Sequence, residues 1–445
     1  MQIIKKTGAF LLIFGLIGLL VAPLSAEEKL TLEEAYKMAL ENNHNLITLR
    51  EQLKELDEDV TVVTSDILPQ LDVSATADRR RSRQAFGDDP GRDQVVPGSA
   101  TTDDSWRATA TLSQPLYRAG QLLSARQIAR LHREAAELDY FYETQQVLYQ
   151  VASQFYGVEL ARKQIEIFEN MKERAQTQLE RSEAMYEEGM ITRTPMLRAR
   201  VQVAQAEREL ERAKNGLQLR LSELRRELGG DPIPARVEAQ VETEVSLESI
   251  ETYFESAQSN RRDYLGTERK LDQARQRVEM ELAERYPSID AQLTGTHYDE
   301  EVGDEDQEWM VSGTVSYPLF SGGRIEAEIR RARALHRQAE AGLGRMNEEL
   351  RVQVEEAYRD VQTREKVLQA LEQEVEAADE NHREVTAKFE EGLSDQVEVS
   401  DAITILNEAE LELASERINL KLDKLALELA TGQFQESLLE QELKF

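Results

Sequence analysis

The stretch SYPLFSGGRIEAEI, from Ser316 to Ile329, decides how this chain is read, because its pattern changes in the middle. Up to Tyr317 apolar and polar residues alternate, the period of a strand with two different faces. From Arg324 the pattern is that of a long charged helix, and Pro318 with Gly322 and Gly323 marks the change. An earlier segment makes the same change. Gln114-Pro115-Leu116-Tyr117-Arg118-Ala119-Gly120 matches Tyr317-Pro318-Leu319-Phe320-Ser321-Gly322-Gly323 at an offset of 203 residues. The same offset aligns Tyr186-Glu187-Glu188-Gly189 with Phe389-Glu390-Glu391-Gly392, and Trp106 with Trp309. Further upstream, Leu68-Pro69-Gln70-Leu71-Asp72 matches Tyr286-Pro287-Ser288-Ile289-Asp290 at an offset of 218, as Asn42 matches Asn260. The 15-residue difference falls between Asp72 and Trp106, in a segment from Arg79 to Asp104 that reads as an extracellular loop carrying Arg79, Arg80, Arg81 and Arg83.

A duplication of this length implies two equivalent structural units. A signal peptide is expected over 1–26, with a basic start at Lys5 and Lys6, an apolar core from Ala9 to Ala22 and a cleavage site near Ala26. The first repeat then occupies 27–231, with a helix, a β-hairpin about 69–117, a long helix 121–187 and a helix 194–229. A linker at 232–245 precedes the second repeat, 246–432, with a helix, a β-hairpin about 287–320, a long helix 322–390 and a helix 394–430; a tail covers 433–445.

The four strand segments alternate strictly. Leu71, Val73, Ala75 and Ala77 are interleaved with Asp72, Ser74, Thr76 and Asp78, and the other three segments repeat the scheme with Ser, Thr, Asp and Gln on the polar side. One apolar and one hydroxyl-rich face is the pattern of a membrane strand with a polar lumen, and it is also open to a soluble two-sided sheet. The helices carry heptad seams, with Val354, Val361, Leu368 and Val375 in one and Val399, Leu406, Leu413, Leu420 and Leu427 in the next, which predicts antiparallel coiled-coil hairpins. Their turns, Glu188-Gly189 and Glu391-Gly392, fall at the end opposite the strands.

Four strands cannot close a barrel, and open sheet edges are not tolerated in lipid. If the strands span a bilayer, several copies must share one barrel; three copies supply twelve strands, enough for an aqueous lumen. The fold class is therefore mixed α and β, mainly long α-helical coiled-coil hairpins in a tandem repeat, with a trimeric 12-stranded membrane β-barrel continuing into an α-helical barrel.

Composition excludes other classes. A net charge of −31 with 54 basic against 85 acidic residues argues against a nucleic-acid partner. With no cysteine there is neither a lipid-anchored N-terminal cysteine nor a disulfide. The five histidines, His44, His132, His297, His336 and His382, lack ligand spacing and read as solvated residues; no catalytic residue, metal site or cofactor is expected.

The Pro-Leu-Tyr/Phe-x-x-Gly junctions, Pro69 and Pro287 opening strands, and the stretches EEGMITRTPMLRARVQVAQAERELERA and EEGLSDQVEVSDAITILNEAELELASERI resemble the TolC family of outer-membrane efflux and secretion channels, over nearly the whole mature chain. The resemblance implies a homotrimer in outer-membrane lipid with a periplasmic tunnel, joined through a periplasmic adaptor to an inner-membrane pump of the RND or ABC type, serving efflux or type I secretion. It implies that Glu398 and Asp401 form the acidic entrance of the tunnel, and that Gly189, Met190, Gly392 and Leu393 at the turns contact the adaptor. Arg193 and Arg198 face Asp395, Glu398 and Asp401 in the equivalent tip, which suggests a charged entrance lock. Phe389 stands where the family often has a tyrosine and Pro195 where an Asp can occur, so such a lock would use other partners than theirs. Pro115, Gly120, Pro318, Gly322 and Gly323 mark the junction of barrel and tunnel. The alternative is a secreted periplasmic coiled-coil adaptor or scaffold, which would share the signal peptide, the acidity and the long helices.

Overall fold

The computed structural model describes residues 29–83, 100–230, 233–234, 236–238, 246–299 and 305–435. The expected signal peptide, most of the linker and of the C-terminal tail, and residues 84–99 of the segment between Arg79 and Asp104 lie outside the described residues. In the first repeat β1 (Lys29–Thr31), α1 (Leu32–Asn42) and α2 (His44–Ser65) precede β2 (Gln70–Arg83), β3 (Ala100–Tyr117), α3 (Gln121–Glu187) and α4 (Arg193–Glu227). β4 (Arg236–Glu238) lies in the linker, and in the second repeat α5 (Ile250–Asn260) and α6 (Arg262–Ala283) precede β5 (Ser288–Asp299), β6 (Glu305–Ser316), α7 (Arg324–Glu390) and α8 (Gln396–Ala430).

The two hairpins have equal arms, 67 residues in α3 and in α7 and 35 in α4 and in α8. At 1.5 Å per residue a 67-residue helix is about 100 Å long. Such length is possible because proline is absent inside α3 and α7, and because an apolar seam is buried along each hairpin: Val354, Val361 and Leu368 face into it from α7, and Val399, Leu406, Leu420 and Leu427 from α8.

The helix leading each repeat is broken where one continuous helix was expected. Between α1 and α2 the backbone of Asn43 is extended, and its side chain accepts from the amides of Asn45 and Leu46 at 2.9 and 3.4 Å, capping a new helix. Arg261 occupies the equivalent break between α5 and α6, 2% exposed, its guanidinium held on Asp263 at 2.8 and 2.9 Å. β1 and β4 form a short parallel ladder that joins the start of the first repeat to the linker.

The main sheet is antiparallel, in the order β2-β3-β5-β6. The helices that enter and leave it pack in the same lateral order: α2 on α3, α3 on α6, α6 on α7. Each strand therefore continues into a helix beneath it. β2 and β3 extend further than the alternating pattern suggested, into the segment read as a loop, with Arg79 opposite Asp104 and Arg80 opposite Asp103 in the ladder. Opposite charges at facing positions are compatible with continued pairing. Leu71, Val73, Val311, Val315 and Trp309 are exposed on the apolar face, so this sheet does not cover itself. Among the described residues no helix is long and apolar enough to cross a membrane.

The largest core lies midway along the helices. Tyr36, Leu148, Phe155, Leu224 and Phe434 are buried together, and the carbonyls of Gly432 and Phe434 accept from the buried Gln145 side chain at 3.4 and 2.8 Å. The chain segment after α8 is thereby tied into the middle of the molecule.

Candidate functional site

At the barrel end, β6 stops at Ser316, so Pro318 lies beyond the last ladder pair, where its missing amide hydrogen is not needed. Pro115 behaves differently: it pairs with Asp290 inside the ladder, and a bulge between Pro115 and Tyr117 follows it. Gly120 and Gly323 then begin α3 and α7 with φ of 83° and 85°, a conformation that a side chain disfavours, and Gly322 at 63° shares it. These glycines turn the strand direction into the helix direction. Arg118 reaches across to Asp290 at 2.7 Å, while Arg324–Glu284 at 3.0 Å and Arg285–Glu326 at 2.6 Å tie α6 to the start of α7.

At the opposite end both turns close with one hydrogen-bond pattern. Met190 and Gly189 donate to the carbonyls of Met185 and Tyr186, and Leu393 and Gly392 to those of Lys388 and Phe389, at 2.8 and 3.0 Å in each turn. Met190 and Leu393 protrude, 58% and 73% exposed. Phe389 is buried against Val399, Ile403 and Met185 and serves as a packing residue.

Glu398 and Asp401 lie three residues apart near the start of α8, and both are exposed. Asp395 caps α8, accepting from the amides of Val397 and Glu398 at 2.7 and 3.0 Å, and Glu398 accepts from the Ser394 hydroxyl. Arg193 and Arg198 are exposed at the start of α4, and among the described residues no ion pair joins them to Asp395, Glu398 or Asp401 within one protomer.

Besides the apolar contacts, a polar seam that the sequence reading did not identify joins the hairpins inside one protomer. The Gln178 amide donates to Gln396 Oε1 at 2.7 Å, the Ser182 hydroxyl donates to the same oxygen at 3.2 Å, and Gln202 donates to Ser400. One turn further from the tip, Arg174 grips Glu410 with two hydrogen bonds, at 2.7 and 3.0 Å, and Asn407 with a third at 2.7 Å. Arg181 pairs with Glu390 of α7 at 3.1 Å. Between these contacts α3, α7 and α8 leave a cleft of about 550 Å³ lined by Arg174, Arg181, Thr386 and His382. His382 is half-buried there, not solvated as expected, and burial, followed by the nearby Arg174, pushes its pKa below the ordinary histidine value. The available signal was the spacing Arg174, Gln178, Ser182, which repeats every four residues along a face that would otherwise be apolar.

Paired amphipathic strands that run in unchanged lateral order into helices of this length, capped at the far end by two equivalent turns, define a membrane-anchored duct. Residues 35–230 and 254–433 match the family described as outer membrane efflux protein. The chain belongs to that family. It is 24% identical over 443 residues to the outer membrane protein TolC of Vibrio cholerae, covering 96% of this chain and 95% of that protein. Escherichia coli TolC is 21% identical over 444 residues, covering 95% and 86%. Among solved structures, CusC superimposes with a TM-score of 0.80 at 17% identity over 90% of this chain and 92% of its own. The Campylobacter jejuni CmeC outer membrane channel does so with 0.76 at 15% identity, over 93% and 89%. The protein is an outer-membrane efflux channel with a periplasmic extension and not an enzyme, and the reading as a soluble adaptor is set aside because the family match runs through both repeats.

Proposed function

We propose that three copies of this chain close into one barrel and one tunnel, forming the exit duct of an assembly with a periplasmic adaptor and an inner-membrane pump of the RND or ABC type. The observation that carries this is the open sheet. β2 and β6 are edge strands, and an unpaired edge in lipid leaves backbone donors and acceptors without partners. Three sheets of this order join β6 of one protomer to β2 of the next and leave no edge. Cysteines introduced at Val73 and Val311 test the arrangement. A disulfide-linked ladder ending at three chains, with heat-sensitive migration in detergent, is expected; cross-linking that stops at two chains or extends beyond three defeats it.

The tips form the gate in this reading. Glu398 and Asp401, exposed on one helix face, become rings of up to six carboxylates around the axis when three tips converge, attracting cations and repelling anions. Arg193 and Arg198, having no acidic partner within their own protomer among the described residues, pair with Asp395, Glu398 or Asp401 across the protomer boundary. The protruding Met190 and Leu393, on turns built around Gly189 and Gly392, are the surface an adaptor meets.

A further inference from the structure

In the three-copy barrel proposed above, β6 of one protomer lies against β2 of the next. Each strand joins the helix beneath it, so α7 of one protomer then stands beside α2 of the next. One junction of the same kind already exists inside the protomer, where α3 of the first repeat packs on α6 of the second. The duplication relates the two junctions residue by residue. At the offset of 203, Gln121 and Glu187 of α3 fall on Arg324 and Glu390 of α7; at 218, His44 and Ser65 of α2 fall on Arg262 and Ala283 of α6. No insertion separates the paired helices, so each contact of the inner junction has a defined counterpart in the outer one.

The inner junction is polar and charged. Arg269 of α6 lies 3.6 Å from Glu134 of α3, Lys270 donates to Asp139 at 2.8 Å, and Gln273 donates to the Ile128 carbonyl at 3.5 Å. The counterpart of Arg269 and Glu134 is Glu51 of α2 and Arg337 of α7, the same pair with its signs exchanged. Gln273 and Ile128 become Glu55 and Arg331, a second acid beside a second arginine, and Lys270 and Asp139 become the uncharged Gln52 and Gly342. Glu51, Glu55, Arg331 and Arg337 are all exposed in the protomer, whereas α7 buries its opposite side, with Ile325, Ile329 and Ala332. Among the described residues Arg337 has no ion pair, and Arg331 and Glu51 have exposed partners within their own helices, Glu328 at 3.5 Å and Lys54 at 2.7 Å.

We propose that a second copy of this chain is bound here, the α7 face of Arg331 and Arg337 receiving the α2 face of Glu51 and Glu55, and that the exchange of signs selects the correct neighbour. This pairing rests on the three-copy reading. The inner junction has its base on α6 and its acid on α3, and the outer one has its acid on α2 and its base on α7. If copies docked one repeat out of step, α3 would meet α2 of another copy with Glu134 against Glu51, and α7 would meet α6 with Arg337 against Arg269. Like charges reject both wrong pairings, and opposite charges accept both right ones. Exposed ion pairs are individually weak, so they act chiefly on the choice of neighbour and on how long the assembly lasts.

The test uses the full-length channel in detergent and follows how long its heat-sensitive oligomer survives at one elevated temperature. Arg331→Glu/Arg337→Glu and Glu51→Arg/Glu55→Arg should each shorten that lifetime by about tenfold or more, and the variant carrying all four reversals should return to within about threefold of the unmodified channel. Lifetimes unchanged by either double reversal, or a combined variant no better than the worse of the two, overturn the proposal. Where a reversal prevents assembly, Gln52→Cys/Gly342→Cys in an otherwise unmodified chain supplies a second measurement: a short thiol cross-linker should join different chains, in a ladder ending at three. Oligomers that persist but do not cross-link overturn this pairing and leave the three-copy reading standing; an unmodified channel that forms no three-chain oligomer removes both.

Discussion

Gln178 of α3 and Gln396 of α8 face each other across the two hairpins, 2.7 Å apart and 2% and 3% exposed. A buried amide pair is worth little while intact and much when broken, because the surviving partner keeps its desolvation penalty. Gln396→Ala strands Gln178 and Ser182 and should destabilise the tip by about 1–3 kcal/mol. Amide hydrogen exchange around 178–182 should accelerate about tenfold, and the double variant Gln178→Leu/Gln396→Leu should recover most of the loss. Unaltered exchange in the single variant would show that the pair is not holding the hairpins together.

Replacing the tip carboxylates tests the gate. Glu398→Gln/Asp401→Asn should move the reversal potential in a salt gradient toward zero, because the fixed charges that reject anions are gone. Retained cation preference would shift the origin of selectivity to the barrel lumen.

Arg193→Ala/Arg198→Ala should raise single-channel conductance in a planar bilayer. Each exposed ion pair is worth only about 0–1 kcal/mol, but threefold repetition makes the closed tip depend on several at once. Unchanged conductance would end the idea of a charged lock at these arginines.

Acidity should loosen the tip through His382. Its pKa in the folded protein lies below the ordinary value of 6.5, burial being the largest cause and Arg174 the next, with Arg181 acting in the same direction and Asp379 and Glu410 against it. The unfolded segment therefore binds the proton more readily, and stability is lost as pH falls through 6.5 toward the folded value. Tip hydrogen exchange, corrected for intrinsic rates, should speed up between pH 7 and pH 5 in the unmodified channel and change less in His382→Gln.

Gly432→Ala should be among the most damaging changes to the middle of the molecule. The added carbon would lie 2.8 Å from the backbone of Asn260 and Arg261, at a φ of 77° that a side chain disfavours. A loss of at least about 2 kcal/mol is expected from strain and displacement together, readable as a fall in thermal midpoint.

Periodicity made the architecture legible, because strand alternation and heptads are statements about which face is buried, and the duplication doubled every such statement. The helix breaks at Asn43 and Arg261 were not legible, since each depends on a side chain satisfying a particular helix end or carboxylate. Nor was Gly295: it appears in sequence as one more small residue in a strand, but the Trp309 ring lies flat over it, 2.8 Å from where a Cβ would stand. Periodicity did not single out the tip residues: Glu398 and Asp401 were expected from the family resemblance, and Arg193 and Arg198 from setting the tip of the first repeat against that of the second. The seam of Gln178, Ser182 and Gln396 escaped because a glutamine at a core position of a charged helix looks like an ordinary surface residue until its partner, some 200 positions away, is beside it.

The matched arms of 67 and 35 residues in both hairpins make the reach of this duct a quantity that evolution cannot adjust piecemeal. An extra heptad in α3 alone would buckle its own hairpin, and in the proposed trimer one in α3 and α4 alone would leave three tips of the rim standing about 10 Å proud of the other three. Lengthening the duct needs four insertions made together, so in the proposed assembly its reach sets a fixed distance that the adaptor and pump must meet.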